Sequence, residues 1–212
     1  MSASTLPRSA GLGLLVYGVG TTVAFLFAGA PGGDYRPSMV RDYLDSGHWL
    51  TAFVLWYVGA LCALGLVVAG ASVRRSERHG EVLWGLGVAA AATSIVGAFV
   101  AGGVDVAVAE GGDTVRSALS LPMAYMLTEI GILLAVCAPA LCVGVAALVL
   151  AARSTMPRWL QVFSVVGGIC GILAPLFLTY FVFTLWTVVA GITAVVAGRR
   201  AGAVEEPEVV LA

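Results

Sequence analysis

Three ionisable side chains stand at the edges of long apolar runs: Asp105, Glu129 and His48. A charge held against hydrocarbon is costly, so each is a candidate functional group. Two carboxylates and an imidazole can bind a cation or an amine, or accept and donate protons. Tyr125 precedes Glu129 by one helical turn and shares its face. Tyr180 comes from the approach to the final span. The candidate ligand set is therefore Glu129, Asp105, His48, Tyr125 and Tyr180, with Asp105 and Glu129 as the general acids if the chain is an enzyme. Tyr17, Trp56 and Tyr57 are placed to line the bundle beneath. The plainer alternative is three separate interfacial residues that each reach water.

Depth is a matter of counting. Arg153 lies 24 residues after Glu129, and Asp105 lies 24 after Glu81. Each interval is roughly 36 Å of helix. His48 precedes Arg74 by 26 residues, roughly 39 Å. With a hydrocarbon core of about 30 Å, all three groups fall near the same boundary. They form one polar cluster only if their helices are neighbours.

The elements that must position them follow from composition. The chain has 212 residues, 60% hydrophobic and 11% charged, with a mean hydropathy of +1.00. That is far too apolar for an ordinary soluble domain. Charges punctuate it. Uncharged stretches of 25, 28 and 23 residues occupy 9–33, 46–73 and 82–104. Residues 122–152 carry only Glu129, and 159–198 form a run of 40. A spanning helix needs about 20 apolar residues. The last run is twice that, so it folds back on itself; the turn is expected near Thr179–Tyr180, with Pro175 bending the approach. The expectation is an all-α, polytopic bundle of six transmembrane helices at about 10–30, 48–73, 82–103, 122–152, 159–178 and 181–198. Residues 1–200 form one membrane domain. Residues 201–212 are an acidic cytoplasmic tail expected to be disordered.

Arginine sets the orientation. Arg8, Arg74, Arg75, Arg78, Arg153, Arg158, Arg199 and Arg200 share one side; Arg36, Arg41 and Arg116 take the other. Both termini are expected in the cytoplasm, in the cytoplasmic membrane. Arg8, the first apolar run and Ala28-Gly29-Ala30 have the layout of a secretory leader. The run is longer than a usual leader core and Pro31 follows the small residues, so a retained helix is expected.

Two short amphipathic segments are expected outside. The first, Pro37 to Gly47, puts Val40, Tyr43 and Leu44 on one face. The second starts at an Asp113 cap, with Val115 and Leu119 on one face. Together they form a lid over the bundle or lie flat in the headgroup layer.

Other chemistry is thinly represented. The four cysteines lie in apolar runs without a C-x-x-C pair. No phosphate-binding loop, nucleophile elbow, zinc-protease or dinucleotide motif occurs. No cofactor and no metal are expected, and the net charge of −1 offers no basic patch for nucleic acid. Gly167 and Gly171 form a G-x-x-x-G pair, which serves internal helix packing or a homo-oligomer or subunit seam. The lipid bilayer and a small-molecule or cation ligand are the other expected partners.

The Pro157-Arg158-Trp159 start, apolar hairpin and Arg199-Arg200 end resemble the last third of small polytopic proteins of high-GC bacteria. In size and in the Asp105/Glu129 pair the chain is similar to small membrane-embedded terpene cyclases, which implies acid chemistry on a polyprenyl substrate. Three readings stay open: a binding or transport protein with an outward polar pocket, a membrane-embedded enzyme, and a ligand-free accessory subunit. The first is the leading one, with an enzyme less favoured.

Overall fold

A computed structural model describes residues 6–27, 35–45, 49–76, 79–118, 120–152, 157–176 and 178–204. Every regular element among them is helical: α1 (Arg8–Phe27), α2 (Pro37–Asp45), α3 (Trp49–Ser76), α4 (Gly80–Ala118), α5 (Leu121–Ala151), α6 (Arg158–Ile172) and α7 (Leu178–Val204), with a 3-10 turn at Ala174–Leu176. Four helical segments are long and apolar enough to cross a membrane: Thr51–Arg75, Gly80–Gly112, Leu121–Ala151 and Leu178–Gly198.

The six longer helices close a ring. α1 packs on α3, α3 on α4, α4 on α5, α5 on α6, α6 on α7, and α7 returns to α1. Neighbours run antiparallel: Gly13 meets Ala69 and Gly20 meets Cys62 between α1 and α3, and Gly11 meets Ala194 and Gly18 meets Thr187 between α1 and α7. Gly198 at the end of α7 lies against Arg8 at the start of α1. Leu6, Val73, Leu83 and Leu150 gather at that same end. Arg8, Arg74 and Arg158 therefore belong to one end of the ring. The main core includes Leu14, Tyr17, Cys62, Leu66, Phe183 and Trp186.

Small residues set the spacing between helices. A Cβ on Gly131 would sit 2.5 Å from the Ala101 backbone nitrogen, and one on Gly144 2.7 Å from the Gly168 carbonyl. Such contacts hold α4–α5 and α5–α6 close, where van der Waals contact substitutes for a hydrophobic drive. Gly167 lies against Trp186, and Gly171 against Ala140 and Phe183. Both glycines are thus occupied by contacts within the chain.

Several boundaries differ from the sequence expectation. α4 does not stop near residue 103; it passes Asp105 and reaches Ala118. Gly112 breaks it with φ 50° and ψ −137°, a backbone that glycine adopts without a Cβ penalty. The piece expected after an Asp113 cap is the stretch of α4 beyond this break; Leu119 lies outside the described residues. The last hairpin turns earlier than Thr179–Tyr180. Pro175 sits inside the 3-10 turn rather than in a bent helix, because it cannot donate to a continuing α6. Leu176 N–H donates to the Leu173 carbonyl at 2.9 Å, and the Thr179 hydroxyl donates to the same oxygen. α7 therefore begins at Leu178 and holds Tyr180 in its first turn. At the other end α7 continues through Val204, so the tail expected from 201 begins as helix; 205–212 lie outside the described residues.

Candidate functional site

α2 is the element that builds the site. Pro37 opens it at a position that needs no N–H donor, and it lies across the ends of α5 and α4 away from the Arg8 end. Val40 is buried among Val108, Ala124 and Tyr125, with Tyr43, Val104 and Leu121 against them. Met39, Arg41 and Asp42 stay exposed. One face of α2 thus covers the α4–α5 seam beside Asp105.

Asp105 is only 4% exposed. Its Oδ1 faces the Thr128 hydroxyl of α5 at 3.4 Å. That hydroxyl also lies 3.2 Å from the Ala124 carbonyl. One proton divides between the two acceptors, so the carboxylate receives a long, weak hydrogen bond. Its Oδ2 is buried with no hydrogen-bond partner among the described residues. A buried carboxylate oxygen without a donor is costly.

Glu129 follows Thr128 in the chain and is half-buried. Its Oε2 accepts a hydrogen bond from the Tyr35 hydroxyl. That bond, then partial desolvation, then the Glu129 charge push the Tyr35 phenol up to about 12. Tyr43 sits deeper on α2; its phenol is pushed up chiefly by burial, then by the charge of Asp105 and by Tyr125. Between the two tyrosines stands Tyr125, 2% exposed. Tyr35 meets it at 5.1 Å between ring centroids and 78°, Tyr43 at 5.3 Å and 89°. Both are edge-to-face contacts, the favoured aromatic geometry.

Asp105, Glu129 and Tyr125 are therefore neighbours of one α2-covered cluster. Tyr180 is not among them. It packs in the main core at 6.2 Å from Phe183, which in turn meets Tyr17 at 6.3 Å. His48 lies outside the described residues. Tyr17 is wholly buried and belongs to the core. Trp56 stacks on Phe99, and Tyr57 is 67% exposed on the outer surface of the ring rather than lining it. Nothing in the spacing pointed to Tyr35 or Thr128. Tyr43 alone had a signal, as part of the apolar face of α2.

Among the described residues no group of three His, Cys, Asp or Glu is placed to hold a metal ion. Two small apolar cavities lie between α1, α3, α4 and α5. One of about 60 Å³ is lined by Leu6, Leu14, Val73 and Leu150, and one of about 30 Å³ by Thr21, Cys62 and Ser94. Neither is lined by Asp105 or Glu129. In comparisons with known proteins, no family model, no curated protein and no solved structure matches the chain.

Proposed function

We propose that this is a multi-pass protein of the cytoplasmic membrane that binds a small molecule or cation at its outward end. In this reading all six long helices cross the bilayer, including α1 and the shorter α6. The antiparallel ring and the gathering of Arg8, Arg74 and Arg158 at one end support it. That end, with both termini, faces the cytoplasm, and α2 covers the opposite end.

The observation that carries the binding reading is Asp105. A carboxylate that is buried, weakly bonded at Oδ1 and unpartnered at Oδ2 among the described residues is poor engineering for a purely structural position. It is well suited to receive a cationic or hydrogen-bond-donating ligand. Glu129 stands at the rim with its Tyr35 partner and supplies a second negative charge for capture.

Native mass spectrometry of the protein released gently from its membrane tests this reading, beside Asp105→Asn and Glu129→Gln. A bound small mass that is lost in both variants is the expected result. A bare chain that copurifies with another subunit in all three forms would overturn it and favour an assembly role.

A further inference from the structure

Resting on the site proposed above, we propose that its ligand is an alkylated ammonium, recognised by Asp105 and by the faces of Tyr35, Tyr43 and Tyr125. The cluster has two features that a simple cation hole lacks. The first is aromatic. Two tyrosines stand at 78° and 89° to a third, with centroids 5.1 and 5.3 Å from it. An edge-to-face pair covers one face of one ring, and the ring faces outside these contacts carry negative quadrupole toward a cation. The second is the arrangement of the carboxylates. Each outer ring lies near one of them: Tyr35 donates to Glu129, and Tyr43 packs with Val104 and Val108, which flank Asp105 on α4. Asp105 is 4% exposed, and its Oδ2 has no donor among the described residues.

The ligand class follows from what the cluster offers. A hard metal ion asks for six to eight oxygens in the case of calcium, or a near-octahedral shell in the case of magnesium. Among the described residues no three His, Cys, Asp or Glu side chains converge for that purpose. An alkylated ammonium asks for less. Its diffuse charge sits on aromatic faces and needs one or two carboxylates nearby, not a full oxygen shell. It also tolerates the apolar floor of Val40, Val108 and Ala124, which a strongly hydrated ion does not. The same chemistry reaches the site from a free quaternary amine or from a choline headgroup in the outer leaflet.

The test is calorimetric titration of the full chain in a non-choline detergent with tetramethylammonium, choline, ammonium and sodium. The expected result is binding of tetramethylammonium and choline above ammonium and sodium. Asp105→Asn and Tyr125→Leu should each weaken it by about tenfold or more, while Tyr125→Phe keeps it. Circular dichroism checks that each variant keeps its helix content; if Tyr125→Leu does not, Tyr35→Leu carries the aromatic arm. Binding of ammonium or sodium at least as tightly as tetramethylammonium, still dependent on Asp105, would overturn the alkylated-ammonium proposal and leave the cation site standing. No binding of any of the four, together with no small mass retained by the native protein, would overturn both. Nanodiscs of phosphatidylcholine or phosphatidylglycerol separate the two sources. Selective, Asp105-dependent retention of phosphatidylcholine assigns the headgroup; choline binding unchanged in both discs assigns the free amine.

Discussion

Tyr35, just ahead of α2, donates its hydroxyl hydrogen bond to Glu129 of α5, 94 positions further along the chain. The same ring stands edge-on to Tyr125, one turn before Glu129. A single side chain outside the long helices thus fastens α2 to both the rim carboxylate and the buried aromatic of the site. Its consequences are measurable.

Tyr35 should titrate late. The hydrogen bond to Glu129 holds the phenol protonated, raising it from 10.0 to about 12. The contact is therefore intact below the ordinary tyrosine value and is lost as pH rises through about 12. The difference in tyrosinate absorbance between the native chain and Tyr35→Phe should develop near that pH. In Glu129→Gln it should move down toward the ordinary value, because the charge that opposes ionisation is gone. A Tyr35 titration near 10 in the native chain would contradict the contact.

Thr128 is expected to matter modestly for stability and more for the state of Asp105. Thr128→Val keeps the shape and removes the hydroxyl that faces Oδ1 at 3.4 Å. Because that bond is long and shared, thermal unfolding in detergent should register a loss of about 1 kcal/mol or less. Thr128→Ser should restore it. A loss several times larger would mean that the Asp105–Thr128 pair organises the α4–α5 seam itself.

The α4–α5 seam is a place where added size should be punished. Gly131 stacks on Ala101, with 2.5 Å between an added Cβ and the Ala101 nitrogen. Gly131→Leu should force the two helices apart at a cost of about 1–3 kcal/mol or more. Gly85, where an added Cβ meets nothing within 4 Å, is the control, and Gly85→Leu should leave the melting temperature nearly unchanged.

Gly112 should resist substitution for a different reason. Open space surrounds it, yet its φ is +50°. Gly112→Ala should destabilise by about 1 kcal/mol through backbone strain alone. Gly103, also in open space but with ordinary helical backbone, should accept alanine without loss.

Sidedness follows from the proposed six crossings. In a cysteine-free background, a cysteine at exposed Ser120 should react with an impermeant thiol reagent added to intact cells, and one at exposed Ala152 should react only after lysis. Equal labelling of both from outside would contradict an odd number of crossings between them.

The sequence by itself determined that the chain is helical and the order in which its apolar helices follow one another, but not where each of them ends. Charges at Arg74, Glu81, Arg153 and Arg158 bound apolar runs, and an apolar run of membrane length has few alternatives to a helix. Pro175 marked the last hairpin, although only the hydrogen bonds onto Leu173 decided where the turn closes. The covered face of α2 was legible because Val40 and Tyr43 alternate with charged residues at helical spacing.

Only the tertiary structure decided which polar groups meet. Long helices that are apolar all round carry no stripe to reveal which face turns inward. Their rotation and register are set by close packing across glycine and alanine seams such as Gly131–Ala101, between residues far apart in the chain. That packing turned Asp105 onto Thr128 and left Tyr180 in the main core with Phe183 and Tyr17. It also turned Tyr57 outward. The positions of Asp105 and Glu129 along their own helices could be counted from the sequence; their shared neighbourhood could not, because position depends on one helix and neighbourhood on the rotation of two.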